Sequence, residues 1–283
     1  MQLNPRYGTD PLITLDGDPA SILAPTVRQH RRLAKVMEGL SAEQWATQSR
    51  CDEWTVQEVL VHLTGTNAFW TMSVAAGVKG EPSRFLTTFD PVVTPAQIVA
   101  STPEASPEES LEGFVRSVEG FDSVLESLDE SDWLKLAESP PGHVSIATVA
   151  HHALWDSWVH ERDIMLPLGL TPAEEPDEIA ACLRYVAAIG PSFAISAGNG
   201  ISGEYAVVAT DPDVRAVVEA SNSVHVREGS SDAELQLVGR AVDLIDALSI
   251  RSRLSQDVPA DSSWMLRGLQ EVFDNEVDQR ECI

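Results

Sequence analysis

The sequence predicts a mainly α-helical protein, a four-helix bundle followed by a small α+β domain, and three observations carry that expectation. Apolar residues recur at helical spacing through four long segments before residue 170. A weak internal repeat pairs those segments two by two, which suits a bundle of two helical hairpins. Beyond residue 177 the pattern shifts to short runs that alternate with period two, as strands do.

The first helix is expected over Ser21 to Leu40, where Ile22, Leu23, Val27, Leu33, Val36, Met37 and Leu40 fall at roughly helical spacing and Gly39 marks the end. The second opens with fuller punctuation. Thr55 as N-cap and Glu58 three residues on form a capping box, and Trp54 with Val59 forms a hydrophobic staple. This helix should run to about Ala76, where Gly77 and Gly80 stop it. Residues 79 to 109 carry Pro82, Pro91, Pro95, Pro103 and Pro107, and read as a long outer connection holding a short helix. A third helix is expected from Ser110 to Leu128 on the stripe Leu111, Phe114, Val118, Phe121 and Leu125. The fourth runs from Ser145 to Leu166, closed by Pro167 and Gly169.

The repeat lies in Leu40-Ser-Ala-Glu-Gln-Trp45, echoed by Leu128-Asp-Glu-Ser-Asp-Trp133. Each echo is followed by a helix cap, Thr55 and Ser145, and laying cap on cap places His62 over His152. After the acidic segment Thr171 to Asp177, a helix over Glu178 to Ile189 precedes a Gly-rich stretch. Strands are then expected over Tyr205 to Ala209, Ser223 to Arg227 and Ala233 to Val238, and helices over Val242 to Leu254 and Trp264 to Phe273. The expected organisation is an N-terminal extension (1–20), the bundle (21–172) and the C-terminal domain (173–283), with the boundary between Leu170 and Glu178.

The 283 residues carry 19 Lys+Arg against 44 Asp+Glu, a net charge of −25. A surface that acidic repels phosphate backbones and anionic lipid, which argues against nucleic-acid and membrane-surface roles. No apolar run approaches a bilayer span, and Met1 to Pro19 lacks the basic start and apolar stretch of a signal peptide. Cys51, Cys182 and Cys282 are odd in number and far apart, which fits a reducing cytoplasm better than disulfides or a Cys-type zinc site.

Four of the seven histidines, His143, His151, His152 and His160, lie in or just before the fourth helix. His152, Asp156 and His160 are spaced by four and four, so they form a polar column on one helical face. Asp156 and His160 offer two metal ligands from adjacent turns, and His62 offers a third from across the bundle. Two imidazoles and a carboxylate with an open position match the ligand count of a catalytic divalent site, usually zinc. The competing reading makes Asp156 and His160 a hydrogen-bonded pair, with Glu161 and Asp163 on a solvated face. His152 reads as a supporting donor or as pocket wall ahead of a fourth ligand, and Trp70, Trp155 and Trp158 read as core packing ahead of the lining of a substrate mouth. There is no phosphate-binding Gly-rich loop and no Gly-x-Ser-x-Gly elbow. Cys51 has only Arg50 beside it, so it does not read as a catalytic thiol.

Two stretches carry a family resemblance. Trp45 followed by Cys51-Asp-Glu-Trp54-Thr-Val-Gln-Glu-Val-Leu-Val-His62 resembles the N-terminal signature of the mycothiol-dependent maleylpyruvate isomerase family, within the DinB-like superfamily. Trp155-Asp156-Ser-Trp-Val-His160-Glu-Arg-Asp163 is similar to that family's second motif. The resemblance implies a DinB-like bundle that binds a divalent metal, typically zinc, through His62, Asp156 and His160. The segment Val238-Gly-Arg240 through Arg251 resembles the family's C-terminal domain, and implies that Arg251 is a catalytic residue steadying substrate charge. Mycothiol, the small thiol of actinobacteria, is the implied cosubstrate, and a small electrophile its partner. The main expectation is S-transfer by a metal-activated thiolate. Cis–trans isomerisation of the maleylpyruvate type, metal-dependent hydrolysis and a non-catalytic binding bundle are the alternatives.

Overall fold

The computed structural model describes residues 3–273 apart from residues 53, 89, 91, 92, 104 and 200. Cys282 and the last ten residues of the expected C-terminal domain therefore lie outside the described residues, as do Glu53 and Pro91.

Helices α1 (Leu23–Glu38), α3 (Val56–Val78), α5 (Pro107–Glu126) and α6 (Ile146–Met165) form the bundle, with the single-turn α2 (Ala42–Trp45) leading into α3 and α4 (Val93–Ser101) lying in the long connection. The bundle closes as a ring, α1 packing on α5 and α6, and α3 packing on the same two. Local chemistry sets the ends. Thr55 and Glu58 make the expected capping box, satisfying backbone N–H groups that the first turn of α3 leaves free. Ser145 caps α6 through the amide of Thr148. Helix α5 begins earlier than expected, because Ser106 and Glu109 form another capping box and Pro107 occupies N1. Gly77 does not stop α3. It lies one residue from the helix end, where a Cβ would stand 2.5 Å from the Leu136 carbonyl oxygen, so it is there to let a hairpin approach. That hairpin, β2 (Leu136–Ser139) and β3 (Gly142–Ser145), was not expected from the sequence.

Before the bundle stands β1 (Ile13–Leu15), and after it comes α7 (Pro176–Ser196). Strands β4 (Gly203–Thr210), β5 (Val214–Ala220), β6 (Val224–Glu228) and β7 (Gln236–Arg240) follow, then α8 (Ala241–Leu248) and α9 (Trp264–Val272). The sheet order is β1-β6-β5-β4-β7. Pairs β6–β5 and β5–β4 are antiparallel, while β7 runs parallel to β4 and β1 parallel to β6. Part of the segment expected as an extension thus completes the C-terminal sheet. Helix α7 is long and apolar enough to cross a membrane, but 83% of its apolar stretch is buried between the bundle, the sheet, α8 and α9. It is the core helix of this protein.

Charge ties bundle to C-terminal domain. Arg32 of α1 donates to both carboxylate oxygens of Glu161 at 2.8 Å and to Glu178 of α7 at 2.7 and 3.0 Å, and both carboxylates are buried. A planar guanidinium meets two carboxylates in this way because its donors form a rigid fork.

Candidate active site

The bundle and the C-terminal domain enclose a cavity of about 880 Å³. His62, Asp156 and His160 stand together in its wall. His62 Nε2 lies 3.9 Å from Asp156 Oδ2, and His160 Nε2 lies 3.6 Å from Asp156 Oδ1. The two imidazoles meet edge to face with centroids 5.0 Å apart. These separations are too long for hydrogen bonds, which disposes of Asp156 and His160 as a simple bonded pair. They come close to the ~3.4 Å between neighbouring ligands of a tetrahedral ion with bonds near 2.1 Å. Three donor atoms within 4.8 Å of one another, from helices α3 and α6, therefore fit a divalent cation.

The rear of His160 is built as carefully. Its Nδ1 lies 3.0 Å from Asp163 Oδ2, and a carboxylate can only accept, so Nδ1 carries a proton and Nε2 is the nitrogen that faces Asp156. Asp163 is 0% exposed. Arg251 meets it through Nε at 3.0 and 3.1 Å and through Nη2 at 2.8 Å, and Arg50 stands 3.7 Å away. Glu161 is buried too, so the alternative that set both acids on a solvated face fails. The period of α6 could not show it, because the helix is buried on every side along its last three turns, by the bundle and then by the C-terminal domain.

Arg251 owes its placement to a strained turn. Ile250, just past α8, has φ of 56°, a left-handed conformation that costs a β-branched residue roughly 1–2 kcal/mol. The turn brings the Arg251 amide onto the Asp246 carbonyl at 2.8 Å and sends the side chain towards the bundle. Cys51 joins the same group, its Sγ 3.4 Å from Asp163 Oδ2, 3.7 Å from His160 Nδ1 and 3.9 Å from Arg251 Nη2. Cys51, His160 and Asp163 also gather three donor atoms. The guanidinium of Arg251 already supplies the cation on Asp163. Sequence reasoning found only Arg50 beside Cys51, because Asp163 and Arg251 reach it from distant parts of the chain.

The charges respond to these neighbours. Burial disfavours charge on His62 and moves its imidazole below the usual range, though Asp156 works against the shift. Burial also works against charge on His160, but the Cys51 sulfur, Asp163 and Asp156 outweigh it and raise that imidazole to about 10. Asp156 is buried as well, yet the surrounding imidazoles hold its carboxyl far below the ordinary carboxylate range. The metal-free cluster thus attracts positive charge.

His152 stands apart from the three. Its Nδ1 meets Tyr185 Oη, lies 3.3 Å from Ser139 Oγ, and its ring packs on Trp70 at 4.5 Å and Trp155 at 5.4 Å. It lines the cavity, as do Trp70 and Trp155, whereas Trp158 is fully buried beneath Arg162. Glu138, 0% exposed, holds the near end of the long connection over the cavity by accepting the amides of Phe85 and Leu86, each at 2.8 Å.

Residues 27–165 match the family described as Mycothiol maleylpyruvate isomerase N-terminal domain. This segment belongs to that family. The match spans α1 to α6, so the family domain supplies His62, Asp156, His160 and Asp163, and Arg251 reaches the domain from outside it. Two solved structures are similar over 85% of this chain and 95% of theirs, each with a TM-score of 0.60 and 14% identity. They are the crystal structure of the mycothiol-dependent maleylpyruvate isomerase and that of a histidine-to-alanine mutant. At that identity the likeness concerns the fold alone. No curated protein matches the chain.

Proposed function

We propose that this protein is a mycothiol-dependent enzyme that transfers the thiol sulfur to a small electrophile, with a divalent cation held by His62, Asp156 and His160. The observation that carries the reading is the convergence of those three donors in a cavity wall, with His160 oriented from behind by Asp163. Two imidazoles and one carboxylate suit zinc. Bound there, the cation would let a thiol react as thiolate at neutral pH, where a free thiol is mostly protonated.

The chain's own residues supply the rest. His62 and His160 would present their Nε2 atoms, the latter once it gives up the second proton that the metal-free cluster favours, Asp156 balances charge, and Asp163 with Arg251 fixes the angle of His160. Arg251 is a positioning residue in this scheme, since its Nε and Nη2 are spent on Asp163. The cavity wall sets the electrophile beside the sulfur and keeps water out. A carbon–sulfur bond forms, and the leaving group departs with the bonding electron pair. The second reading, favoured by the family's name, is isomerisation. There the thiolate adds to a conjugated double bond, rotation follows, and the sulfur leaves with its electron pair.

Cobalt substitution tests the proposal. The cobalt form should bind about one ion per chain and gain a sulfur-to-metal absorption band on adding mycothiol. A protein that binds no ion, or binds cobalt without a thiol band, is not this enzyme.

A further inference from the structure

The cavity speaks to what the electrophile is, and this step rests on the thiol reading above. Beside the three donors the wall is largely hydrocarbon and aromatic, with Phe69, Trp70, Trp155, Phe193 and Leu269 drawn from both domains. Apolar side chains continue to the rim, where Phe85 is 63% exposed and Ile98 is 47% exposed. Side chains of that kind left in water beside a cavity of about 880 Å³ mark a surface meant to be covered.

The charges point the same way. Among the described residues the wall holds two arginines and no lysine. Arg251 is bound to Asp163, and Arg50 stands 3.7 Å from Asp163 and 3.6 Å from Asp246. The wall also carries Asp52 and Asp156. A divalent cation at His62, Asp156 and His160 would be matched by Asp156 and the thiolate. Among the described residues no free positive charge is left for a dianion, and an unpaired carboxylate in such a site is unfavourable. We infer that the electrophile is neutral and carries a hydrocarbon or aromatic body seated on this wall, and that it is not a small dicarboxylate.

The same cis-alkene in two forms tests this. Dibutyl maleate and maleate dianion are titrated into the full-length zinc-loaded protein in thiocyanate sufficient to fill the thiolate's place on the ion, reading the fluorescence of the cavity tryptophans Trp54, Trp70 and Trp155. The ester should bind at least about 30-fold more tightly, equivalent to about 2 kcal/mol. Equal or tighter binding of maleate overturns the inference. Ile98→Asp at the exposed rim and Leu269→Asp in the wall should each weaken ester binding about tenfold or more, since each sets a charge against the bound hydrocarbon. The rim variant stays informative if the wall variant misfolds. Ester binding that ignores Ile98→Asp places the ester elsewhere and also overturns the inference. Mycothiol is then added and loss of the ester followed. Ester that binds in the cavity and is neither converted to a thioether nor turned to its trans form upholds the ligand class while overturning thiolate attack on a conjugated double bond, the step that the isomerisation reading needs.

Discussion

Asp163 Oδ2 accepts a hydrogen bond from His160 Nδ1 at 3.0 Å, three residues along the same helix, and so decides which ring nitrogen of His160 looks into the cavity. The same carboxylate is gripped by Arg251, which follows the last residue of the C-terminal sheet by eleven positions. A site whose other parts lie on two bundle helices is therefore oriented partly by the second domain.

Removing a cavity-facing imidazole should remove the ion. His62→Ala and His160→Ala are each expected to retain wild-type helical content by circular dichroism and to carry substoichiometric zinc by elemental analysis, with thiol-dependent activity lost in parallel. Full zinc content in both variants would dismiss the three-residue site.

The support behind His160 should act more gently. Asp163→Asn is expected to weaken zinc binding about 10–100-fold, as loss of an outer hydrogen-bond partner does. Arg251→Ala leaves the buried Asp163 with Arg50 as its one remaining guanidinium among the described residues, and should cost about 3 kcal/mol in urea unfolding. If Arg251 only positions His160, kcat falls while KM for the electrophile stays constant. A rise in KM alone would assign Arg251 to substrate binding.

The acid side of the stability profile should report His152. Burial lowers its imidazole to about 4, below the usual 6.5. As pH falls through 6.5 the unfolded chain takes up this proton and the folded chain does not. Stability from His152 is thus complete above pH 6.5 and is lost down to about pH 4, at about 1.4 kcal/mol per pH unit. His152→Gln should flatten the slope of unfolding free energy between pH 6.5 and 5 by that amount. Parallel slopes would show that His152 does not contribute in this way.

A tight crossing offers a packing test remote from the donors. A Cβ on Gly268 of α9 would stand 1.9 Å from the Gly190 carbonyl oxygen of α7. Gly268→Ala should therefore separate the two helices at a cost of about 3 kcal/mol in chemical denaturation. Leu269 is the next residue and lines the cavity, so affinity for an apolar ligand should drop with it. Unchanged stability would mean that the helices do not meet at this point.

What could be read without coordinates was local. The cap at Thr55, the cap at Ser145 and the four-and-four column in α6 are short-range patterns, and His62 was added through a repeat of helix starts. Ser106 with Glu109 had the same local signal and was passed over in favour of the apolar stripe that begins later. Strand β5 was missed although Val214–Ala220 places buried residues at Val214, Ala216, Val218 and Ala220, because central residue Val217 is buried too and blurs the alternation. The hairpin β2–β3 has only four residues per strand around Pro140 and Pro141, too short to show a period. Asp163, Cys51 and Arg251 could not be joined by spacing at all, since nothing local relates positions 51, 163 and 251.

The pairing of Ile13, Thr14 and Leu15 with Val224, His225 and Val226 has a consequence for synthesis. The nascent segment must wait for about 200 further residues, roughly 10–40 s at the usual pace of a ribosome, before its partner emerges. During that interval the bundle can already assemble, while Ile13, which ends fully enclosed, still lacks its partner strand. A bulky tag fused close to this strand should thus hinder maturation of the far end of the polypeptide more than of the helices that follow it directly.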